Sequence, residues 1–99
     1  ESDSARDFFA MLPLTLPFED YVETEKIAYL PGKLTTQTAP EGIDPQVGDI
    51  AYYAPWGNLA IYYRDFGYSS GLIRLGRITS GLDALTAQPS GTLTIEAVK

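Results

Sequence analysis

Apolar and polar residues alternate with a period of two along much of the chain, most clearly between Gly48 and Gly67. Residues 50–54 and 59–64 are rich in Tyr, Ile and Leu. The Gly57-Asn58 pair between them favours a two-residue hairpin turn, and Pro55 and Trp56 leave room for a longer loop. Both loop lengths keep the same parity. Ile50, Tyr52, Ala54, Leu59, Ile61 and Tyr63 therefore share one face, expected to be the core. Ala51, Tyr53, Ala60, Tyr62 and Arg64 share the other, where any surface function near the hairpin is expected.

The flanking pattern predicts the remaining elements. Phe8, Met11 and Leu12 recur at helical spacing, so a short helix is expected over 5–12, capped by Asp3 or Ser4 in the Ser2-Asp3-Ser4 run and stopped by Pro13. Leu14, Leu16 and Phe18 alternate with Thr15 and Pro17, and Pro17 restricts 14–18 to an edge strand or an extended linker. Residues 26–30 read as a strand, Pro31-Gly32 as a turn, and 33–36 as a returning or bulged strand. Residues 37–47 carry Pro40, Gly42 and Pro45 and read as a loop, as do residues 67–71 around Tyr68. Apolar residues on both faces of 72–78 predict a covered strand bent at Gly76. Thr79 or Ser80 then caps a helix that turns Leu82 and Leu85 inward, and 92–98 alternates as a half-buried last strand.

Composition narrows the chemistry. Ninety-nine residues suffice for one core, so residues 1–99 are expected to form a single domain. No apolar run approaches the ~20 residues of a membrane helix. The net charge of -6 disfavours nucleic-acid backbones. Without cysteine or histidine the chain has no disulfide, thiolate nucleophile, Ser-His-Asp triad or usual transition-metal set, so no metal or cofactor is expected, and the compartment stays open. The acidic stretch of Glu19, Asp20, Glu23 and Glu25 lacks an EF-hand pattern and reads as a solvated face. Opening on Glu1, with no signal-peptide core, the chain is expected to be a processed or cut fragment.

Three blocks carry a resemblance: residues 48–61 (GDIAYYAPWGNLAI), Gly76-Arg77-Ile78 leading into the Leu82-Leu85 helix, and residues 25–31 (EKIAYLP). Together they make the chain resemble the bacterial cyclophilin-like domain family over nearly its whole length. The resemblance implies a mostly β fold, a closed or nearly closed cyclophilin-like β-barrel with two short helices, and it supplies no catalytic residues. It also implies a β-hairpin ahead of the first helix, which is absent here. A domain truncated at its N-terminus is therefore expected, with a sheet edge open beside the first helix and the last strand, where another chain could pair.

Two functional readings follow. Cyclophilin isomerases place an arginine on an outer barrel face beside an apolar pocket, and Arg64 is the matching candidate for a catalytic role. Otherwise Arg64 pairs with Asp65 or Asp49, or stacks on Tyr62. The isomerases' histidine and Gln-Gly-Gly motif are missing. Tyr53, Trp56, Tyr62 and Tyr68, with Arg64, are the ligand-binding candidates, an aromatic surface suited to a peptide or small molecule unless a loop or a barrel-closing element covers it. The first reading is a non-catalytic binding module; the alternative is a peptidyl-prolyl cis-trans isomerase acting through Arg64.

Overall fold

The computed structural model describes residues 3–37 and 41–98; Ser2 and, within the expected loop, residues 38–40 lie outside them. In chain order the elements are α1 (Asp3–Ala10), β1 (Leu14–Tyr21), β2 (Glu25–Tyr29), β3 (Gly42–Ile43), β4 (Asp49–Tyr53), β5 (Asn58–Tyr62), β6 (Ser69–Ser70), β7 (Leu72–Arg77), α2 (Leu82–Thr86) and β8 (Ser90–Ile95). A six-stranded antiparallel sheet runs β7-β4-β5-β2-β1-β8, and β3 pairs with β6 in a two-stranded sheet. Over the described residues the chain is thus mostly β with two short helices. No helix among the described residues is long and apolar enough to cross a membrane.

The hairpin has the expected parity and the longer loop. Ile50 pairs with Ile61 and Tyr52 with Leu59, and residues 54–57 connect the strands. These four side chains enter the main core with Phe8, Leu16, Phe18 and Leu93. The opposite face departs from expectation, because it too is packed. Ala51, Ala60, Tyr62 and Leu72 form a second apolar cluster, with Ile43 and Tyr53 against it. Tyr63 keeps to the inner side but stays out of the apolar core: β5 ends at Tyr62, the Tyr63 amide bonds to the Thr24 carbonyl (3.1 Å), and the Tyr63 hydroxyl donates to Asp20.

Other boundaries shift for identifiable reasons. Residues 33–36 form no strand, because their backbone groups are taken by side chains. The Thr35 amide donates to Asp7 (2.9 Å), Ser4 donates to the Thr35 carbonyl, and the Leu34 amide reaches the Tyr52 hydroxyl (3.4 Å). Ser4 thus ties α1 to this segment, inside a helix that begins at Asp3. β1 has neighbours on both sides, but Pro17 falls in the half paired with β8 alone, where its missing donor costs the sheet least. The expected loops 37–47 and 67–71 contain β3 and β6, joined where Gly42 lets the chains approach; a Cβ there would lie 2.3 Å from the Ser69 carbonyl oxygen. Gly81, not Thr79 or Ser80, caps α2, with φ 93° and no side-chain cap bond.

β7 bends at the expected place. Ile50 faces Gly76 while Ala51 faces Arg74, so Leu75 is an extra residue, a bulge. In a regular strand Arg74 and Arg77 would point to opposite faces; the bulge brings both to Asp49. The Asp49 carboxylate is 0% exposed and accepts from Arg74 Nε (2.8 Å), Arg77 Nη1 (3.4 Å) and the Gln46 amide (2.8 Å). β7 and β8 are the two edges of the sheet. Between them, beside α1 and α2, opens an apolar cavity of about 670 Å³ with Phe8, Leu12, Ile50, Ile61, Leu93 and Ile95 in its wall.

Removing the Asp49 carboxylate leaves two guanidinium groups and a backbone amide without their acceptor. Asp49→Ala should lower unfolding stability by about 2–4 kcal/mol in urea titration, whereas Arg77→Gln, which removes a longer and more exposed contact, should cost under ~1 kcal/mol.

Candidate functional site

Register assembles an aromatic and acidic row on the outer sheet face. Tyr21 lies opposite Glu25, and Glu25 opposite Tyr62, across β1, β2 and β5. A tight turn follows Tyr21, with Val22 (φ 47°) and Glu23 (φ 55°) in the left-handed region that β-branched residues rarely adopt. The turn is held by Thr24 N–H to the Tyr21 carbonyl (3.1 Å) and Glu23 N–H to Asp20 (2.9 Å). Trp56 comes from the hairpin loop and spans the gap between two tyrosines. Its ring centroid lies 5.7 Å from Tyr21 and 5.3 Å from Tyr53, at interplanar angles of 88° and 82°. Edge-to-face packing satisfies the ring quadrupoles and fixes the indole while leaving it 52% exposed.

Beneath these rings sit polar groups with few partners. Glu25 is only 6% exposed, and burial raises its pKa, partly offset by the hydrogen bond from Tyr62. Burial and the neighbouring Glu25 carboxyl in turn push the Tyr62 phenol well above its usual range. Among the described residues no Lys or Arg forms an ion pair with Glu25. On the same face Asn58, 1% exposed, gives its side-chain N–H to the Leu59 carbonyl (2.8 Å) and leaves Oδ1 without a partner among the described residues.

The inner side of β2 carries a separate charged cluster. Lys26, 2% exposed, has its ammonium 3.1 Å from Asp20, donates to the Gln88 carbonyl and lies 5.2 Å from the Tyr63 ring centroid. Asp20 is held below its usual pKa, first by the Tyr63 hydroxyl and then by Lys26. Tyr63 is pushed up to about 12 by burial and by Asp20. The acidic stretch is thus divided: Glu19 and Glu23 are exposed, Asp20 is half-buried and paired, and Glu25 is buried.

The five site residues expected from sequence are not all brought together. Tyr53 and Trp56 touch; Tyr62 lies under the same face, buried and against Phe66 (5.8 Å). Arg64 follows the end of β5 and places its guanidinium 5.9 Å from the Tyr63 ring, away from the expected seat beside Tyr62 and Tyr53. It makes no ion pair among the described residues, with Asp49 taken by Arg74 and Arg77, and it does not line the cavity between β7 and β8. Tyr68 is exposed near Gly42, beside the two-stranded sheet. Tyr21, Glu25 and Asn58 were missed. Alternation through Glu25-Lys26-Ile27 could have separated Glu25 from Lys26, but nothing local marks which carboxylate is buried.

A family model described as cyclophilin-like family matches residues 1–96. No curated protein and no solved structure matches the chain.

Asp20 and Glu25 should respond oppositely to pH. Asp20, with a lowered folded pKa, contributes stability above its unfolded value of 3.8, and that contribution is lost as pH falls through the folded value. Glu25, with a raised folded pKa, costs stability as pH rises from 4.5 up to its folded value. Thermal melts should therefore show Glu25→Gln gaining on the wild type as pH rises above 4.5, and Asp20→Asn losing ground to it as pH rises toward 3.8 and holding a constant deficit above that. Equal pH profiles for both variants would contradict the assignment.

Proposed function

Because the chain belongs to the cyclophilin-like family, and family membership by itself assigns no activity, we propose from the local geometry that it is a non-catalytic binding module. It takes an extended Pro-containing peptide, or a small molecule of like shape, on the outer aromatic face. The observation that carries this reading is Trp56, half-exposed yet held at near right angles between Tyr21 and Tyr53. Rigid, amphipathic aromatic surfaces of this kind suit proline rings and peptide planes, because they bury large areas at little conformational cost. Tyr62 stiffens the face from below; Tyr68 and Arg64 stand at separate places and serve as peripheral contacts. The isomerase alternative is favoured by one observation, that Arg64 is exposed and has no carboxylate partner among the described residues.

The same reading takes the six-stranded sheet as a nearly closed barrel whose gap lies between β7 and β8. The cavity walled by residues from both edges supports it. Free strand edges also support association with another chain there.

Trp56 is the only tryptophan of the chain, so its emission reports directly on the face. Titration with Pro-containing peptides should give a saturable fluorescence change. By calorimetry, Tyr53→Ala should weaken binding by about tenfold, the scale of a moderate aromatic hot spot. A prolyl-isomerisation assay should show no acceleration; turnover that disappears in Arg64→Ala would defeat the non-catalytic reading.

A further inference from the structure

The outer face holds a buried acid without a base. Buried carboxylates are ordinarily paired or multiply hydrogen-bonded, because desolvating an isolated charge is expensive. Asp49 follows that rule with two arginines, and Asp20 follows it with Lys26 and Tyr63. Glu25 has the Tyr62 hydroxyl and no cation among the described residues. Tyr21 stands directly opposite Glu25, and the exposed indole of Trp56 packs on Tyr21. An electron-rich ring face beside an unpaired carboxylate is complementary to a positive group.

A second, independent feature points to a hydrogen-bond donor. The orphaned Asn58 Oδ1 lies on the same face, on the row that pairs Asn58 with Tyr29, four residues along β2 from Glu25. That separation is about 13 Å at the rise of a strand. An extended peptide with its charged side chain at Glu25 spans that distance, and a main-chain N–H reaches the buried Asn58 Oδ1 once the cover over it moves aside. The net charge of -6 favours approach of such a ligand.

We propose that the peptide carries an arginine, whose guanidinium stacks on Trp56 against Tyr21 and forms the missing ion pair with Glu25. A guanidinium fits better than an ammonium because it is planar, stacks on indole and offers several N–H donors to a carboxylate. The assignment rests on the peptide-binding reading above and names the residue class that this face selects.

The test compares acetyl-Gly-Pro-Arg-Pro-Gly-amide with the same peptide carrying citrulline, which keeps the length and planarity of arginine and removes its charge. Trp56 fluorescence and calorimetry on the wild-type chain should give at least about tenfold tighter binding for the arginine peptide, the scale of a close charge pair in a desolvated site. In Glu25→Gln that preference should shrink to the few-fold that the cation–π contact with Trp56 alone supplies. Equal affinity of the two peptides for the wild type would overturn the cation assignment while leaving peptide binding standing. No binding of either would overturn both. An undiminished preference in a folded Glu25→Gln would remove Glu25 from the site. Should that variant fail to fold, the wild-type comparison still decides, since it uses no substitution.

Discussion

The register of the β4–β5 hairpin is the constraint on which the rest of the domain depends. Pairing Ile50 with Ile61 and Tyr52 with Leu59 sends four large side chains into the main core. The same pairing sets Ala51 against Ala60 on the other side, both fully buried. Shifting the pairing by one residue would exchange the faces and drive bulky core side chains onto the side now lined by alanines. Because that centre is small, Tyr53 and Tyr62 can lie against the sheet there instead of standing off it. The aromatic face is thus a consequence of the core's register.

Three internal carboxylates show how tertiary pairing assigns different work to one residue type. Asp49 locks β4 to β7, and it does so through the Leu75 bulge, which places Arg74 and Arg77 on a common side. Asp20 holds a buried lysine and so joins the β1–β2 turn to the segment after α2. Glu25 is buried as deeply as a structural ion pair but, among the described residues, has a phenol and no cation beside it. Of the three it is the one without a cationic partner among the described residues, and Tyr21 opposite it packs against the exposed Trp56. That coincidence separates the outer face from the apolar cavity between β7 and β8, which has apolar walls and the unpaired edges of two strands.

Much of the architecture was legible in the sequence because it depends on local pattern. Period-two alternation placed β2, β4, β5, β7 and β8 to within a few residues, and Gly76 marked the bend in β7; α1 lies where helical spacing put a helix but ends at Ala10, which leaves Met11 and Leu12 beyond it. The family to which the chain belongs was recognisable from the residues of the hairpin and its neighbours. The errors have a common origin. Residues 33–36 have strand-like composition, but Asp7, Ser4 and Tyr52, all distant in sequence, take their backbone groups. Tyr63 has the right parity for the core, but Asp20 captures its hydroxyl after β5 has ended.

What the chain order determined by itself was which residues alternate, where turns fall, and which chemistries are excluded by the absence of cysteine and histidine. These follow from backbone stereochemistry and side-chain type, which act over a few residues. Only the tertiary structure decided that Glu25 is buried while Glu19 and Glu23 are exposed, that Arg74 and Arg77 rather than Arg64 reach Asp49, and that Trp56 meets a tyrosine from a different hairpin. Burial and charge pairing are set by strand order and register among segments distant along the chain, and neither leaves a mark within the few residues that local pattern can read.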